Sequence, residues 1–326
     1  MYHQRLPRPS ATSAVHFTNG TTVPIAAIEG NAAYKQQMRE LVETALAHNW
    51  TGTFQDPVPV LSWPQYIQGL IGSMFLQSPP PSPLQSMLGV LKTNTEVYLG
   101  HPVQFAEVSV PIWLNDHQAH TINLALKQIG ITHTTTSYRR AIRAASWHLG
   151  TDELNYCLSC KPRWVLILDY SRSALGITVD EFDRGIFETF YWSTRGDLGQ
   201  DSIWNKTSDP HSLIGNTQYW EALEEELKQA LKVIGDGELE DIVLLGDRIT
   251  GNEDLLDILR KVLGAETFNK AISRHTALQK SGSMVSPLFA AAMGQALLSD
   301  AYRDDAPDGC MYAGNCPGAK PYHGEL

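Results

Sequence analysis

The chain has 326 residues, 43% hydrophobic and 18% charged, enough to bury a sizeable core and long enough for two domains or one domain with two lobes. With 25 basic against 35 acidic side chains its formal net charge is -10, which repels nucleic-acid phosphate and anionic lipid, and no basic patch offsets it. No apolar run reaches the length of a bilayer span, and the opening MYHQRLPRPSATSAVHF lacks the apolar stretch of a secretory signal. The expected setting is therefore cytoplasmic, with no nucleic-acid or membrane partner.

The first thirty residues are polar and rich in turn formers, with one apolar run, VPIAAI, at 23–28. Met38, Leu41, Val42, Ala45 and Leu46 then recur at helical spacing and predict a helix over 34–48. PPPSP at 79–83 is a loop, because proline removes a backbone donor and fixes φ. A helix over 84–98 ends at Gly100. Phe105–Val110 reads as a strand stopped by Pro111, and Ala119, Ile122, Leu126 and Ile129 line a helix that starts at Asn115 or Asp116 and ends at Gly130. Cys157 and Cys160 form a C-x-x-C without the second pair a zinc site needs. With Cys310 and Cys316 they read as thiols without metal, so no metal and no cofactor is expected.

Residues 163–169, 174–179 and 185–191 predict three strands joined by short turns, a meander. Trp220, Leu223, Leu227, Leu231 and Ile234 share one helical face, with Glu221, Glu224, Glu225 and Glu226 early and Lys228 and Lys232 late, an order that suits the helix dipole and pairs Glu224 with Lys228. Asp241–Leu245 is a further strand, Glu253–Leu263 a helix, and Pro287–Leu298 a small-residue helix; the tail after Asp300 looks irregular. Strand clusters followed by helices, twice over, imply an α/β fold with two sheets. Asn19-Gly20-Thr21 and Asn205-Lys206-Thr207 match the glycosylation triplet but need a secretory context, and His323-Gly324-Glu325-Leu326 departs from a retrieval tetrapeptide at Gly324.

The order of these segments resembles the ATPase domain of the seventy-kilodalton heat-shock chaperones. LKTNTEVYLGHPVQFAEVSVPIWLNDHQ at 91–118 is similar to that family's passage from a helix ending Tyr-Leu-Gly through a strand to a Val-Pro-Ala-Tyr-Phe-Asn-Asp turn. RWVLILDYSRSALGITVDEFDRGIFE resembles its second phosphate hairpin, LEDIVLLGDRITGNEDLLDIL its adenosine-motif strand and helix, and SPLFAAAMGQALL its closing helix. The resemblance implies a shortened two-lobed actin-like (ribonuclease-H-like) fold: residues 1–155 as the first lobe, 156–285 as the second, and 286–326 as a closing helix returning to the first lobe plus the tail. Short stand-alone relatives of this kind resemble divergent ones found in fungi.

Phosphoryl transfer depends on backbone N–H donors, Mg²⁺ and a lysine around the phosphates, and glycines let the backbone approach them. The family's second phosphate loop reads Asp-Leu-Gly-Gly-Gly-Thr; here the matching residues are Asp169-Tyr170-Ser171-Arg172-Ser173-Ala174, keeping the carboxylate and losing every glycine. The resemblance leads one to expect that the hairpin carrying the first loop is missing; Gly20-Thr21-Thr22 is a poor substitute, since the family's aspartate would be Thr18. The family's lysine falls at Tyr34, with Lys35 one place off, and its hinge Glu-Pro at Arg140-Ala141. The adenosine motif keeps Gly246 and replaces its second glycine and serine with Asp247 and Arg248. Gly196-Asp197-Leu198-Gly199 is a shortened Gly-Asp-x-x-Leu-Gly-Gly, and the stretch from Asp201 to Asp241 is too short for the adenine-clasping subdomain.

Some of these remnants have structural explanations: turn glycines at Gly185 and Gly199, a helix cap at Asp116, and Asp169 ending its strand on backbone donors. Pairing of Arg172 with Asp169 and of Arg248 with Asp247 would fill vacated phosphate space. The leading expectation is a relative that does not hydrolyse ATP, its interlobe cleft reused for a small-molecule ligand. Asp169, Arg172 and Asp247 are the candidate catalytic residues, and Ser171, Ser173, Asp197, Gly246 and Arg248 the candidate binding residues. The alternatives are an enzyme of specialised small-molecule metabolism, a cyclase, isomerase or hydrolase using the remodelled cleft, and a protein-binding scaffold.

Overall fold

The computed structural model describes residues 10–47, 81–110, 116–133, 139–140, 161–183, 186–205, 213–249, 252–272 and 286–301. The cysteines, Gly185, the hinge position Ala141 and the C-terminal tetrapeptide lie outside them. The first expectation to change is the polar start. Strand β1 (Ser10–His16) pairs antiparallel with β2 (Thr22–Glu29), so VPIAAI is one half of a hairpin. Its turn is closed by Phe17 N–H donating to the Thr21 carbonyl at 2.9 Å, with Gly20 at φ +82, and Gly20-Thr21-Thr22 is therefore hairpin backbone. The short Ser, Ala and Thr side chains of β1 show no period, which is why the strand is illegible without its partner.

Helix α1 (Ala32–Ala47) starts two residues before its predicted position because Asn31 Oδ1 accepts the Tyr34 N–H at 2.8 Å. Helix α2 (Pro83–Leu99) is capped by Ser82 and closed by Gly100 at φ +74. The strand expected over 105–110 is split into β3 (Phe105–Ala106) and β4 (Ser109–Val110). The two halves pair in parallel with different partners, β5 (Thr132–His133) and β6 (Arg139–Arg140). Between them lies helix α3 (Asp116–Gln128), whose Ile122, Ala125 and Leu126 are buried.

The main sheet follows the meander expectation, with each strand longer than its apolar run. β7 (Arg163–Tyr170), β8 (Leu175–Asp183) and β9 (Ile186–Arg195) are antiparallel neighbours, and β10 (Leu239–Leu245) joins β7 in parallel, giving the order β10-β7-β8-β9. Alternation along the strands gives the sheet two covered faces. On one, Leu166, Leu168, Tyr170, Leu175, Ile177, Ile242 and Leu244 pack against α5 (Leu213–Leu231), α6 (Glu253–Leu263) and α7 (Ala265–Ala271) through Leu223, Leu227, Leu255, Leu259 and Phe268. On the other, Val165, Ile167, Val243 and Leu245 meet Ile122 and Leu126 of α3, Ile131, and Ala290 of α8 (Ala290–Ala301). Helix α8 also lies against β1, β2 and β4. The predicted Glu224–Lys228 pair forms at 2.8 Å. Among the described residues no helix is long and apolar enough to cross a membrane.

Candidate functional site

Because β10 and β7 are parallel, their carboxyl ends lie side by side, with Leu245 opposite Asp169. Ligands of open α/β sheets collect beyond such strand ends. Gly246 follows at φ +115, and a Cβ there would stand 2.2 Å from the Tyr170 carbonyl oxygen. The glycine thus allows two strand ends to cross in contact. Arg248 N–H then donates to that carbonyl at 3.3 Å. The crossing brings Asp247 and Arg248 beside the turn 171–174.

That turn is bonded partly within itself and partly to the segment 200–201. Ser171 N–H donates to the Ala174 carbonyl at 3.1 Å and Ala174 N–H to Ser171 Oγ at 3.3 Å, while the carbonyls of Ser171 and Arg172 accept from the N–H groups of Gln200 and Asp201. Gly199 lies so close behind that a Cβ would meet Ser173 and Ala174 backbone atoms at 2.4 and 2.5 Å. Asp201 opens the short helix α4 (Asp201–Asn205). Arg172 reaches it in place of the expected Asp169, its Nε 2.6 Å from Asp201 Oδ1. The sequence reading missed Asp201 as this partner, since nothing in the chain marks a residue 29 positions away as adjacent.

Two carboxyls remain at the strand ends. No hydrogen-bond donor reaches Asp169 among the described residues, so it does not end its strand by binding backbone N–H groups. It keeps partial solvent contact while packed about by protein. Burial pushes its carboxyl up to about 7, and the Asp247 charge adds to the rise. Asp247 is also raised, by burial first; Arg248, Arg172 and the backbone N–H groups of Asp247 and Arg172 pull the other way. Those groups attract it at a distance, since both Asp247 oxygens are buried and accept no hydrogen bond. The expected Arg248–Asp247 pairing is thus a charge interaction. Arg248 is itself buried, which holds its guanidinium below the ordinary range.

The other candidates are placed elsewhere. Asp197 is exposed, held by Arg195 Nε and Nη2 at 2.9 and 2.8 Å, and Arg195 Nη1 reaches Glu226 of α5 at 2.6 Å. This network belongs to the α5 face. Tyr34 is buried with its ring over Gly30, where a Cβ would meet it at 2.2 Å, and Lys35 pairs with Glu29 at 2.8 Å. Tyr170 and Tyr219 join hydroxyls at 2.9 Å, and Tyr219 donates to the Leu198 carbonyl at 2.6 Å, tying β7 to α5 behind the corner.

Two hydroxyls escaped the sequence reading. Thr178 and Thr194 have buried Oγ1 atoms that form no hydrogen bond. Register puts both on the Asp169 face, Thr178 opposite Ile167 and Thr194 opposite Gly176, which is itself opposite Asp169. For Thr178 the available signal was a polar residue inside the apolar run ALGITV.

Residues 80–203 match the family model described as Hsp70 protein. Over 114 residues the chain is 32% identical to "Chaperone protein DnaK" of Picrophilus torridus, and equally to "Chaperone protein DnaK" of Thermoplasma acidophilum. Each alignment covers 34% of this chain and 17% of the relative, so the matched part spans about a sixth of the length of these curated relatives. The matched segment includes Asp169, the turn 171–174 and Asp201; Asp247 and Arg248 lie beyond it.

Proposed function

We propose that this chain is a degenerate relative of the chaperone ATPase domain, with a shortened two-lobed actin-like fold, that does not hydrolyse ATP and uses its strand-end corner for another ligand. The observation that carries this reading is the buried Asp247 carboxylate beside the Arg172 turn. It sets a carboxyl group among the backbone donors and guanidinium groups that a phosphate would need. Two neighbours support it: Ser171 N–H and Ala174 N–H are bonded within the turn, and the Arg172 guanidinium is held by Asp201. The residues present do not fit a magnesium triphosphate. A phosphate-release assay with excess Mg-ATP tests the reading; no turnover above the no-enzyme rate is expected, and a chaperone-like rate overturns it.

A second reading is favoured by Asp169. A carboxyl that titrates at about 7 and keeps solvent contact is suited to moving a proton to or from a bound molecule at neutral pH. In a nucleotide-independent isomerase, cyclase or hydrolase, Asp169 is the acid/base, its proton affinity raised by burial first and by Asp247 second. Asp169→Asn would then abolish turnover while leaving the fold intact.

A further inference from the structure

We infer that the face of the main sheet beyond Asp169 is a binding site for a small neutral polyhydroxylated molecule, held by Asp169, Asp247, Thr178 and Thr194. This rests on the reading that the corner takes a ligand other than a nucleotide, and it names the class. Buried polar groups in folded proteins nearly always have partners, so a cluster of unmet ones marks a missing ligand or water. Here three such residues lie on or beside one face of the sheet. Thr178 is 1% exposed and its hydroxyl has no partner, as have the Thr194 hydroxyl and both Asp247 oxygens. These groups come from three strands and the β10 crossing, yet register sets the two threonines on the Asp169 face.

The shape follows from the strands. Asp169, Gly176 and Thr194 form one row across β7, β8 and β9, and the middle residue has no side chain. The row leaves about 10 Å between the Cα atoms of its ends, two strand spacings. Trp192, opposite Thr178 and partly buried on this face, supplies an apolar wall.

The chemistry narrows the class. An anion would meet the Asp247 carboxylate, and a cation would meet buried Arg248 beside it. Carboxylate oxygens accept and threonine hydroxyls donate or accept, so the complement is a neutral molecule bearing several hydroxyls.

The test titrates the full chain with myo-inositol and D-glucose at no more than about 10 mM, by calorimetry and thermal shift. At these concentrations the general stabilisation by excluded polyols is small. Saturable binding of at least one probe is expected, with a rise in Tm of about 3 °C at ten times Kd. Thr178→Val and Thr194→Val should each weaken it about tenfold or more, while melting within a few degrees of the wild type. No saturable response to either probe overturns the inference, which would leave the hydroxyls as water sites. Equal binding by a folded Thr194→Val or Thr178→Val also overturns it. A parallel Mg-ATP titration separates the two proposals: nucleotide binding sinks the functional reading, and missing polyol binding alone sinks only this one.

Discussion

The two faces of the main sheet are built from the same strands and solve opposite problems. On the α5 face Leu166, Leu168, Ile177 and Leu244 meet Leu223, Leu227, Leu255 and Leu259, each less than 5% exposed, and the polar atoms that appear, such as the Tyr170 and Tyr219 hydroxyls, bond each other. On the α3 face Val165, Ile167 and Val243 are equally buried but alternate with Asp169, Thr178 and Asp247, whose polar atoms are largely without hydrogen bonds. A closed face spends its alternation on stability. The other retains unmet polar groups, which cost free energy unless something binds them.

The comparison breaks first on the closed face. Leu227→Ala removes a fully buried side chain between α5 and the sheet, and a loss of about 3 kcal/mol is expected in urea denaturation. A loss below about 1 kcal/mol would mean that α5 is not integral to the core.

The next effect lies in the pH dependence of the α3 face. The folded state holds the Asp169 proton to about 7 against an ordinary value of 3.8, so between those limits it binds more protons than the unfolded chain. Stability therefore falls as pH rises through that window and levels off above it. Asp169→Asn should flatten this contribution and leave the variant more stable than the wild type at pH 8 by about 2 kcal/mol. Parallel melting curves of the two proteins from pH 4 to 8 would contradict the burial of Asp169.

Smaller still is Thr178→Val, which removes a buried hydroxyl with no partner. Without ligand it should leave stability unchanged or raise it by about 1 kcal/mol. A clear loss would show that the hydroxyl is bonded and the face closed.

These expectations also show which parts of the chain were legible. The meander, β10, α5 and α6 could be read because their apolar residues follow a period of 2 or 3.6. The hairpin strand Ser10–His16 could not, since its stability comes from VPIAAI and from helix α8, 280 or so residues away in sequence. At the corner, the residue types at 169, 172, 247 and 248 were legible and their pairing was not. The Gly246 crossing sets Asp247 beside the Arg172 turn, and Asp201 takes the guanidinium expected to serve Asp169. Thr178 was hidden because one hydroxyl in an apolar strand gives no sign of whether it finds a donor or acceptor.

The central proposal is that the Asp247 carboxyl, beside the turn 171–174, competes for the donors that a nucleotide's phosphates would need. Calorimetric titration of the wild-type chain with Mg-ATP at neutral pH tests it most directly. The account predicts no saturable heat up to millimolar nucleotide. Binding at micromolar or tighter affinity would contradict it, since the phosphates would then have to share the corner with the buried Asp247 oxygens.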